Sequence, residues 1–300
     1  MAKWLKTQDF ISFEIKDKIA YITMNRPEKR NALSPELIKE VHDAMLEADD
    51  LVEVHAIVLG GAGEDFCAGY DLGYGYNPAN QGDTSGKYRT RMGSMDDDIW
   101  TMTRKMHQML IIPDIHKTVI AKVQGRALAG GAELALACDI VIMGDEALIG
   151  HPGVRGLGSP PINFWFYHVG PQWAKRLLLT GDRLRGKDAA RLGLAMDSVP
   201  EAELDEEVHK LAKRIALLDP EISATQKRVV NMAMELAGAR TLQKLSTEID
   251  ARAHLSKGPA KLAWKANVGA HGVRKAIKLR DADYADGDVV RIRAFENDNG

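Results

Sequence analysis

Hydrophobic and polar residues alternate near the start of the chain in the pattern of a β-hairpin. The alternation runs through residues 10–15, and Lys16-Asp17-Lys18 then turns the chain into a second apolar run at residues 19–24. The sequence Asn25-Arg26-Pro27 ends that run, because proline cannot extend a central ladder. The pattern therefore predicts two adjacent antiparallel strands.

The next pattern has helical spacing. Ser34 is a suitable N-cap, Pro35 suits the first helical position and Glu36 places an acid in the first turn. Apolar residues follow at intervals of three and four, at Leu37, Val41, Ala44, Met45 and Ala48. This spacing predicts an amphipathic helix with one buried face.

Three continuous apolar runs predict buried parallel strands at residues 54–59, 118–123 and 139–143. Helical segments separate them, which implies right-handed β-α-β crossovers. Helical patterns dominate from Pro171 onward, and we predict helices at 171–179, 186–192, 201–218, 221–237 and 241–255. The sequence thus predicts an α/β core over residues 1–200 and a helical C-terminal region over 201–300.

Two stretches show neither the hydrophobic period of a strand nor that of a helix. Residues 73–95 are rich in glycine and tyrosine, and a loop of this length is either a functional lid or disordered. The tail from Asp281 is rich in aspartate, with arginines interspersed, and we interpret it as a solvated extension or a packing arm.

Composition narrows the class of protein. The 300 residues are 45% hydrophobic and 27% charged, with a net charge of −2, as in ordinary globular proteins. That charge gives no general electrostatic reason to bind nucleic acid or an anionic membrane. The two cysteines suit a reducing compartment. Because no apolar stretch approaches about 20 residues and no secretory signal is recognisable, we expect a cytoplasmic protein without a membrane span.

Two glycine-containing turns follow predicted strands, at residues 60–72 and 124–133. The second turn leads into an apolar helical segment, which places Gly130 and Gly131 near a helix N-terminus that favours an anion. Neither turn fits the phosphate-binding loop or the dinucleotide fingerprint. Taken alone, each turn is better explained by glycines that only allow tight packing.

Taken together, the turns resemble a known pair of motifs. Residues 66–72 (FCAGYDL) and 130–135 (GGAELA) are similar to the paired signatures of the crotonase (enoyl-CoA hydratase/isomerase) superfamily. Similar segments occur in the family's order at residues 25–33, 137–140, 178–182 and 189–194. The resemblance covers roughly residues 10–237.

The resemblance implies a crotonase-like ββα spiral core with a helical C-terminal region that takes part in oligomerisation and covers the active site. It implies an acyl-CoA thioester substrate, a homotrimer or homohexamer, and no metal or cofactor beyond the coenzyme A of the substrate. The backbone N–H groups of Ala68 and Gly130 would form an oxyanion hole that stabilises a thioester enolate. The residues it assigns to substrate and coenzyme binding are Arg26, Lys29, Arg30, Ala32, Ala68, Gly69, Tyr70, Asp71, Leu72 and Gly130.

Glu133 is the candidate acid/base, because it follows Gly130 by about one helical turn. The alternative is a surface carboxylate in a first helical turn. The hydratases of the family carry a second glutamate at the position of Gly153, so support for hydration is incomplete here. His151 is a possible substitute, although a histidine beside proline is more often a structural hydrogen-bonding residue.

Two further side chains have competing interpretations. Cys67 could be a nucleophile, but no general base is paired with it in the sequence, and a small buried residue is the favoured interpretation. Tyr70 either narrows the acyl pocket or contacts substrate through its hydroxyl.

We therefore predict an acyl-CoA enzyme of the enoyl-CoA hydratase/isomerase type, a class associated with fatty acid metabolism. The alternatives are an enoyl-CoA isomerase, a C–C bond hydrolase or a decarboxylase of the same superfamily, or a non-catalytic acyl-CoA binder.

Overall fold

The structure, a computed structural model, describes residues 2–77, 80, 87, 94–285 and 288–292. Its larger sheet has six strands, of which the first two are antiparallel and the rest parallel. In spatial order these strands are β1 (Ile11–Lys16), β2 (Ile19–Met24), β3 (Ala56–Gly61), β4 (Thr118–Val123), β6 (Ile140–Gly144) and β9 (Asp197–Val199).

A smaller sheet is built from short strands. Its order is β10 (Val289–Val290), β8 (Arg183–Arg185), β7 (Leu148–Gly150) and β5 (Arg126–Leu128). Strand β5 is parallel to β7, β7 is antiparallel to β8, and β8 is parallel to β10. Because β5 and β7 lead directly into the residues of the candidate site, this sheet fixes their positions.

The helices connect the strands and then continue alone. Those within the first 200 residues are α1 (Pro35–Asp50), α2 (Leu72–Gly75), α3 (Met95–Met109), α4 (Ile111–Asp114), α5 (Gly130–Leu136), α6 (Trp165–Thr180) and α7 (Gly186–Leu192). The C-terminal helices are α8 (Leu204–Ala216), α9 (Pro220–Leu236), α10 (Ala239–His254) and α11 (Pro259–Asp281).

The core lies on both faces of the larger sheet. Alternate side chains of β3 point to opposite faces, so that Ile57 and Leu59 join the main core while Val58 packs in a second cluster with α8. Helix α1 begins as its sequence predicts, with the Ser34 hydroxyl accepting a hydrogen bond from the Leu37 amide at 3.3 Å. All five apolar positions predicted for the buried face of α1 are buried.

The hairpin, three central strands and five later helices occur where the sequence predicts them, with shifts of a few residues at most ends, the largest six residues at the start of α6. Helices α3 and α11 and the short strands β5 and β7–β10 were not predicted. Most of the proposed lid lies outside the described residues, namely 78–79, 81–86 and 88–93, while Ser94 caps α3. The described part of the C-terminal tail is a packing arm, because β10 pairs with β8. Within the described ranges, no helix has the length and apolar character needed to cross a membrane.

Candidate active site

The site begins at the N-terminus of α5. Ala129 precedes this helix with φ 49° and ψ −119°, a conformation that alanine rarely adopts. The Ala129 amide donates to the carbonyl of Gly150 at 2.9 Å, and the Ala129 carbonyl accepts from the Glu133 amide at 3.0 Å. These bonds hold the strained turn, and the first amides of α5 have no acceptor within the helix.

The second glycine of α5 allows another segment to approach closely. A Cβ on Gly131 would overlap the carbonyl oxygen of Cys67. Residues 66–70 run beside β5, with the Cys67 amide donating to Arg126 and the Cys67 carbonyl accepting from Leu128. The FCAGYDL and GGAELA motifs therefore meet in space, as the paired signatures predict.

The structure contradicts the predicted role of Ala68. Its backbone N–H donates to the carbonyl oxygen of Arg30 at 2.9 Å. An amide that is bound to a protein carbonyl is not available to a thioester oxygen. The sequence could not reveal this, because the bond depends on how the segment containing Arg30 folds against the motif.

The backbone amide of Tyr70, two residues after Ala68, is placed differently. Residues 69–71 form an isolated parallel bridge with Leu33, in which the Gly69 carbonyl accepts from Leu33 and the Asp71 amide donates to Leu33. The N–H of Tyr70 lies between these two bonds and takes part in neither. A Cβ built on Gly69 would lie 3.6 Å from the backbone nitrogen of Gly130, so the two segments are in contact at this point.

Glu133 is buried, with 1% of the residue exposed, which rules out the alternative of a surface carboxylate. Its Oε2 accepts a hydrogen bond from the Tyr70 hydroxyl at 2.7 Å, and its Oε1 lies 3.0 Å from Nε2 of His151. The Tyr70 hydroxyl donates, and Nε2 of His151 can do the same in the tautomer that carries its proton there. Each carboxylate oxygen of Glu133 thus has a hydrogen-bond partner inside the protein.

His151 lies directly after β7 and occupies the space beside Gly153. Only 4% of His151 is exposed, and a Cβ on Gly153 would lie 3.1 Å from the imidazole Cε1. With Nε2 directed at Glu133, the buried Nδ1 has no hydrogen-bond partner among the described residues. The imidazole, rather than a second carboxylate at residue 153, therefore adjoins Glu133.

The pKa values of the neighbouring groups assign their roles. Burial, followed by the charge of Glu133, raises the pKa of the Tyr70 hydroxyl well above its usual value, so this hydroxyl stays a donor. Burial raises the pKa of the Cys67 thiol to about 12, which leaves it protonated and unsuited to nucleophilic attack. This agrees with the interpretation of Cys67 as a small buried residue. The Tyr70 ring also lies against Gly130, where a Cβ would be 2.9 Å from it.

The residues assigned to coenzyme binding divide into two groups. The Arg26 guanidinium donates to the Ala32 carbonyl at 2.6 Å and to Asp71 at 3.1 Å, and its side chain is 13% exposed. Arg26 and Asp71 thus hold the segment together, which leaves little of either for a phosphate. Arg30 is 61% exposed at the side chain, and Lys29 is also exposed.

One group of residues near the site was not predicted. Asp250 and His254 of α10 lie with Asp98 of α3, near enough to Glu133 for its charge to act on Asp250, and Asp250 and Asp98 are buried. Nothing in the local sequence distinguishes these positions from ordinary helix residues. Only the docking of α10 against α3 reveals them.

Comparison with known proteins agrees with this geometry. The family model described as enoyl-CoA hydratase/isomerase matches residues 14–263. The chain belongs to this family, the crotonase superfamily, and it is an acyl-CoA enzyme of the enoyl-CoA hydratase/isomerase type.

Individual relatives cover most of the chain. A crotonyl-CoA hydratase from Syntrophomonas wolfei is 30% identical over 91% of this chain and 97% of its own length. A hydroxycinnamoyl-CoA hydratase-lyase from Pseudomonas fluorescens is 32% identical over 80% of this chain and 84% of its own. The crystal structure of an enoyl-CoA hydratase from Mycobacterium smegmatis superimposes with a TM-score of 0.84 at 32% identity, covering 94% of this chain and 97% of that one.

Proposed function

We propose that this enzyme stabilises a thioester enolate with the backbone N–H groups of Tyr70 and Gly130, and that Glu133 is its base. The observation that carries the proposal is the buried Glu133 carboxylate, held by two donors one turn from the first amide of α5. Negative charge on the thioester oxygen grows as the enolate forms, so fixed N–H donors stabilise the transition state more than the substrate.

Tyr70 replaces Ala68 in the proposed pair for a geometric reason. The Ala68 amide donates to the Arg30 carbonyl. The Tyr70 amide lies between the two hydrogen bonds of the Leu33 bridge and donates in neither of them. The two segments pass close together, since a Cβ on Gly69 would lie 3.6 Å from the Gly130 nitrogen, and this closeness supports a single oxygen meeting both amides. The strained Ala129 is explained if it aims the Gly130 N–H at that oxygen.

Gly153 bears on the reaction subclass. Addition of water to an enoyl-CoA is the leading candidate, since Glu133 could take a proton from water. The absence of a carboxylate at residue 153 favours a second candidate, namely C–C bond cleavage or decarboxylation through the same enolate, and one relative is named a hydratase-lyase. A double-bond isomerase and a non-catalytic binder are the remaining alternatives.

Further assignments follow from the same proposal. The exposed Lys29 and Arg30 would meet the phosphates of coenzyme A. The buried free thiols of Cys67 and Cys138 suit a cytoplasmic enzyme, and fatty acid metabolism is the expected setting. We divide the chain into a core at 1–200 and a C-terminal region at 201–300 that completes the site and mediates assembly.

Assembly into a homotrimer or homohexamer is supported by the apolar residues that the C-terminal helices leave exposed. The α9–α10 apolar face comprises Ile222, Val229, Val230, Met232 and Leu236 of α9 with Leu245 and Ile249 of α10, each at least 47% exposed. Large apolar side chains left exposed on two successive helices are typical of an interaction site.

The test is to mix the protein with a panel of enoyl-CoA thioesters and to follow the loss of absorbance of the conjugated thioester. We expect turnover by the wild type and a fall of about 10²- to 10⁴-fold in kcat for Glu133→Gln, because the variant cannot accept a proton. Glu248→Gln, which neutralises an exposed carboxylate, is the control. Tight binding without turnover, unchanged by Glu133→Gln, would identify a binder instead.

A further inference from the structure

Asp250 of α10 is a buried carboxylate that the proposed chemistry does not yet use. Only 4% of the residue is exposed, and its Oδ1 has no hydrogen-bond partner among the described residues. Its Oδ2 lies 3.5 Å from Nε2 of His254, one turn later on the same helix. An unsatisfied buried carboxylate oxygen is costly, and such groups persist mainly where they have a function.

A short series of contacts connects Asp250 with Glu133. The imidazole of His151, paired with Glu133, lies against Gly153. The Gly153 carbonyl accepts from the amides of Leu157 at 2.8 Å and Gly158 at 3.3 Å. A Cβ on Gly158 would overlap Oδ1 of Asp250. Asp250 therefore presents its carboxylate to the segment whose own side chain at residue 153 is missing.

His254 connects this carboxylate to a second acid and to solvent. Its Nδ1 lies 2.8 Å from Oδ2 of Asp98, a residue of α3 with no exposed surface. The His254 side chain is itself 17% exposed. An imidazole between two buried carboxylates, with one edge in water, can fix the orientation of Asp250 and return protons to it from solvent.

We propose that Asp250 is the second proton-transfer residue of the active site, supplied by α10 in place of a carboxylate at residue 153. His254 and Asp98 are its positioning residues. This inference rests on the proposed enolate chemistry and assigns the proton donor to the enolate.

In the addition of water, Glu133 takes a proton from water while the oxygen bonds to the β-carbon, and the π electrons of the double bond move onto the thioester oxygen. The enolate then collapses, and its α-carbon takes the proton of the Asp250 carboxyl. The protonated Glu133 and the ionised Asp250 return to their starting states by proton exchange with solvent, with His254 serving Asp250.

The protonation state of Asp250 fits this role. Burial raises its pKa to about 6. A general acid is most effective when its pKa lies near the pH at which the enzyme works. The titratable groups that act on it from the surrounding elements are Asp98 of α3, Glu133 of α5, His151 after β7 and His254 of α10 itself. Tyr70 is near enough for the charge of Asp250 to raise its pKa, and Lys261 of α11 donates to the neighbouring Leu157 carbonyl. The electrostatic influence of His254 is the largest of the opposing influences and lowers that pKa.

The decisive measurement is exchange of the α-proton of a saturated acyl-CoA in D2O, followed by mass spectrometry beside turnover of enoyl-CoA. Asp250→Asn should slow both exchange and turnover by at least 30-fold while KM changes less than threefold. Glu133→Gln should lose turnover but keep exchange within threefold of wild type. The control is Glu248→Gln, an exposed acid on the same helix, which should change neither.

A second, independent test measures the pH dependence of activity in another variant, His254→Gln. The hydration kcat/KM of the wild type should fall as pH rises through the pKa of Asp250, and His254→Gln should move that limb to higher pH by removing a neighbouring cation. If Asp250→Asn does not fold, the pH profile of His254→Gln still tests the role of Asp250. Exchange within threefold of wild type in a folded Asp250→Asn, or an unmoved limb in His254→Gln, would overturn the proposal. A wild type without turnover or exchange on any thioester would instead refute the proposed function.

Discussion

A buried carboxylate needs hydrogen-bond donors, and Glu133 obtains both of its donors from residues distant in sequence. Tyr70 comes from the segment after β3, and His151 comes from the segment after β7. The spacing from Gly130 left Glu133 open between an acid/base and a surface carboxylate, and the family resemblance favoured the acid/base role. Its partners could not be predicted, because neither lies on α5.

The hydroxyl of Tyr70 can be removed with little change in shape. Tyr70→Phe leaves Oε2 of Glu133 without its donor in a buried site, so we expect the free energy of unfolding to fall by about 1–3 kcal/mol. Urea denaturation of the two proteins measures this difference. Tyr284→Phe, at a residue 40% exposed, should change stability by far less. Equal stabilities of Tyr70→Phe and wild type would mean that the bond to Glu133 contributes nothing.

Asp250 should make stability depend on pH. Its pKa is raised from 3.8 to about 6 by burial, so the folded state holds this proton more tightly than the unfolded state. The associated stability is fully present below pH 3.8 and is lost as pH rises to about 6, by roughly 3 kcal/mol at about 1.4 kcal/mol per pKa unit.

Asp250→Asn cannot ionise and should escape that loss. The unfolding free energy of the variant relative to wild type should therefore increase between pH 4 and pH 8, which urea titrations at both values would measure. A constant difference across this range would show that Asp250 does not carry a raised pKa in the folded protein.

Elements with a long, regular pattern were predictable, and short ones were not. Strands β1–β4 and β6 have five or six residues of continuous or alternating hydrophobicity, whereas β5, β7, β8 and β9 have three residues each and no period to detect. Helix α3 was missed because its N-terminus adjoins the glycine-rich stretch. The Ala68 error has a similar origin, since the bond from its amide to the Arg30 carbonyl joins two segments that are distant in sequence.

The start of α5 should determine activity through one N–H group. Gly130→Ala and Gly130→Pro both bring a Cβ against the Tyr70 ring, but only proline also removes the amide hydrogen. The first helical position tolerates proline, so the helix itself should form. We expect kcat for Gly130→Pro to be about 10²- to 10³-fold below that of Gly130→Ala. Similar kcat values for two folded variants would remove Gly130 from the oxyanion hole.

The turn before α5 stores backbone strain. Ala129 at φ 49° and ψ −119° costs about 1–3 kcal/mol, and glycine adopts this region freely. Ala129→Gly should therefore raise the unfolding free energy by relieving this strain. The greater freedom of glycine in the unfolded chain offsets about 0.5–1 kcal/mol of that gain. Ala132→Gly, within the same helix at ordinary angles, should lower it. A loss of stability in both variants would show that Ala129 is not strained.

At the scale of the whole molecule, the C-terminal helices have two separate surfaces with different chemistry. The inner surface of α10 carries Asp250 and His254 towards the site, and its buried Gln243 exchanges two hydrogen bonds with the backbone of Asn163. The outer surface is the α9–α10 apolar face. One helix, α10, therefore contributes residues to both surfaces.

The α9–α10 apolar face should hold the assembly together. A trimer of the 33.0 kDa chain has a mass of about 99 kDa, which light scattering coupled to size exclusion would measure. Val230→Lys places a charge in that face at a residue 63% exposed in the single chain, so the mass should fall to that of one chain. Val52→Lys, at a residue 91% exposed after α1, should leave the mass unchanged. A wild type that elutes at 33.0 kDa would contradict the proposed assembly, and an assembly unaffected by Val230→Lys would exclude this face as its interface.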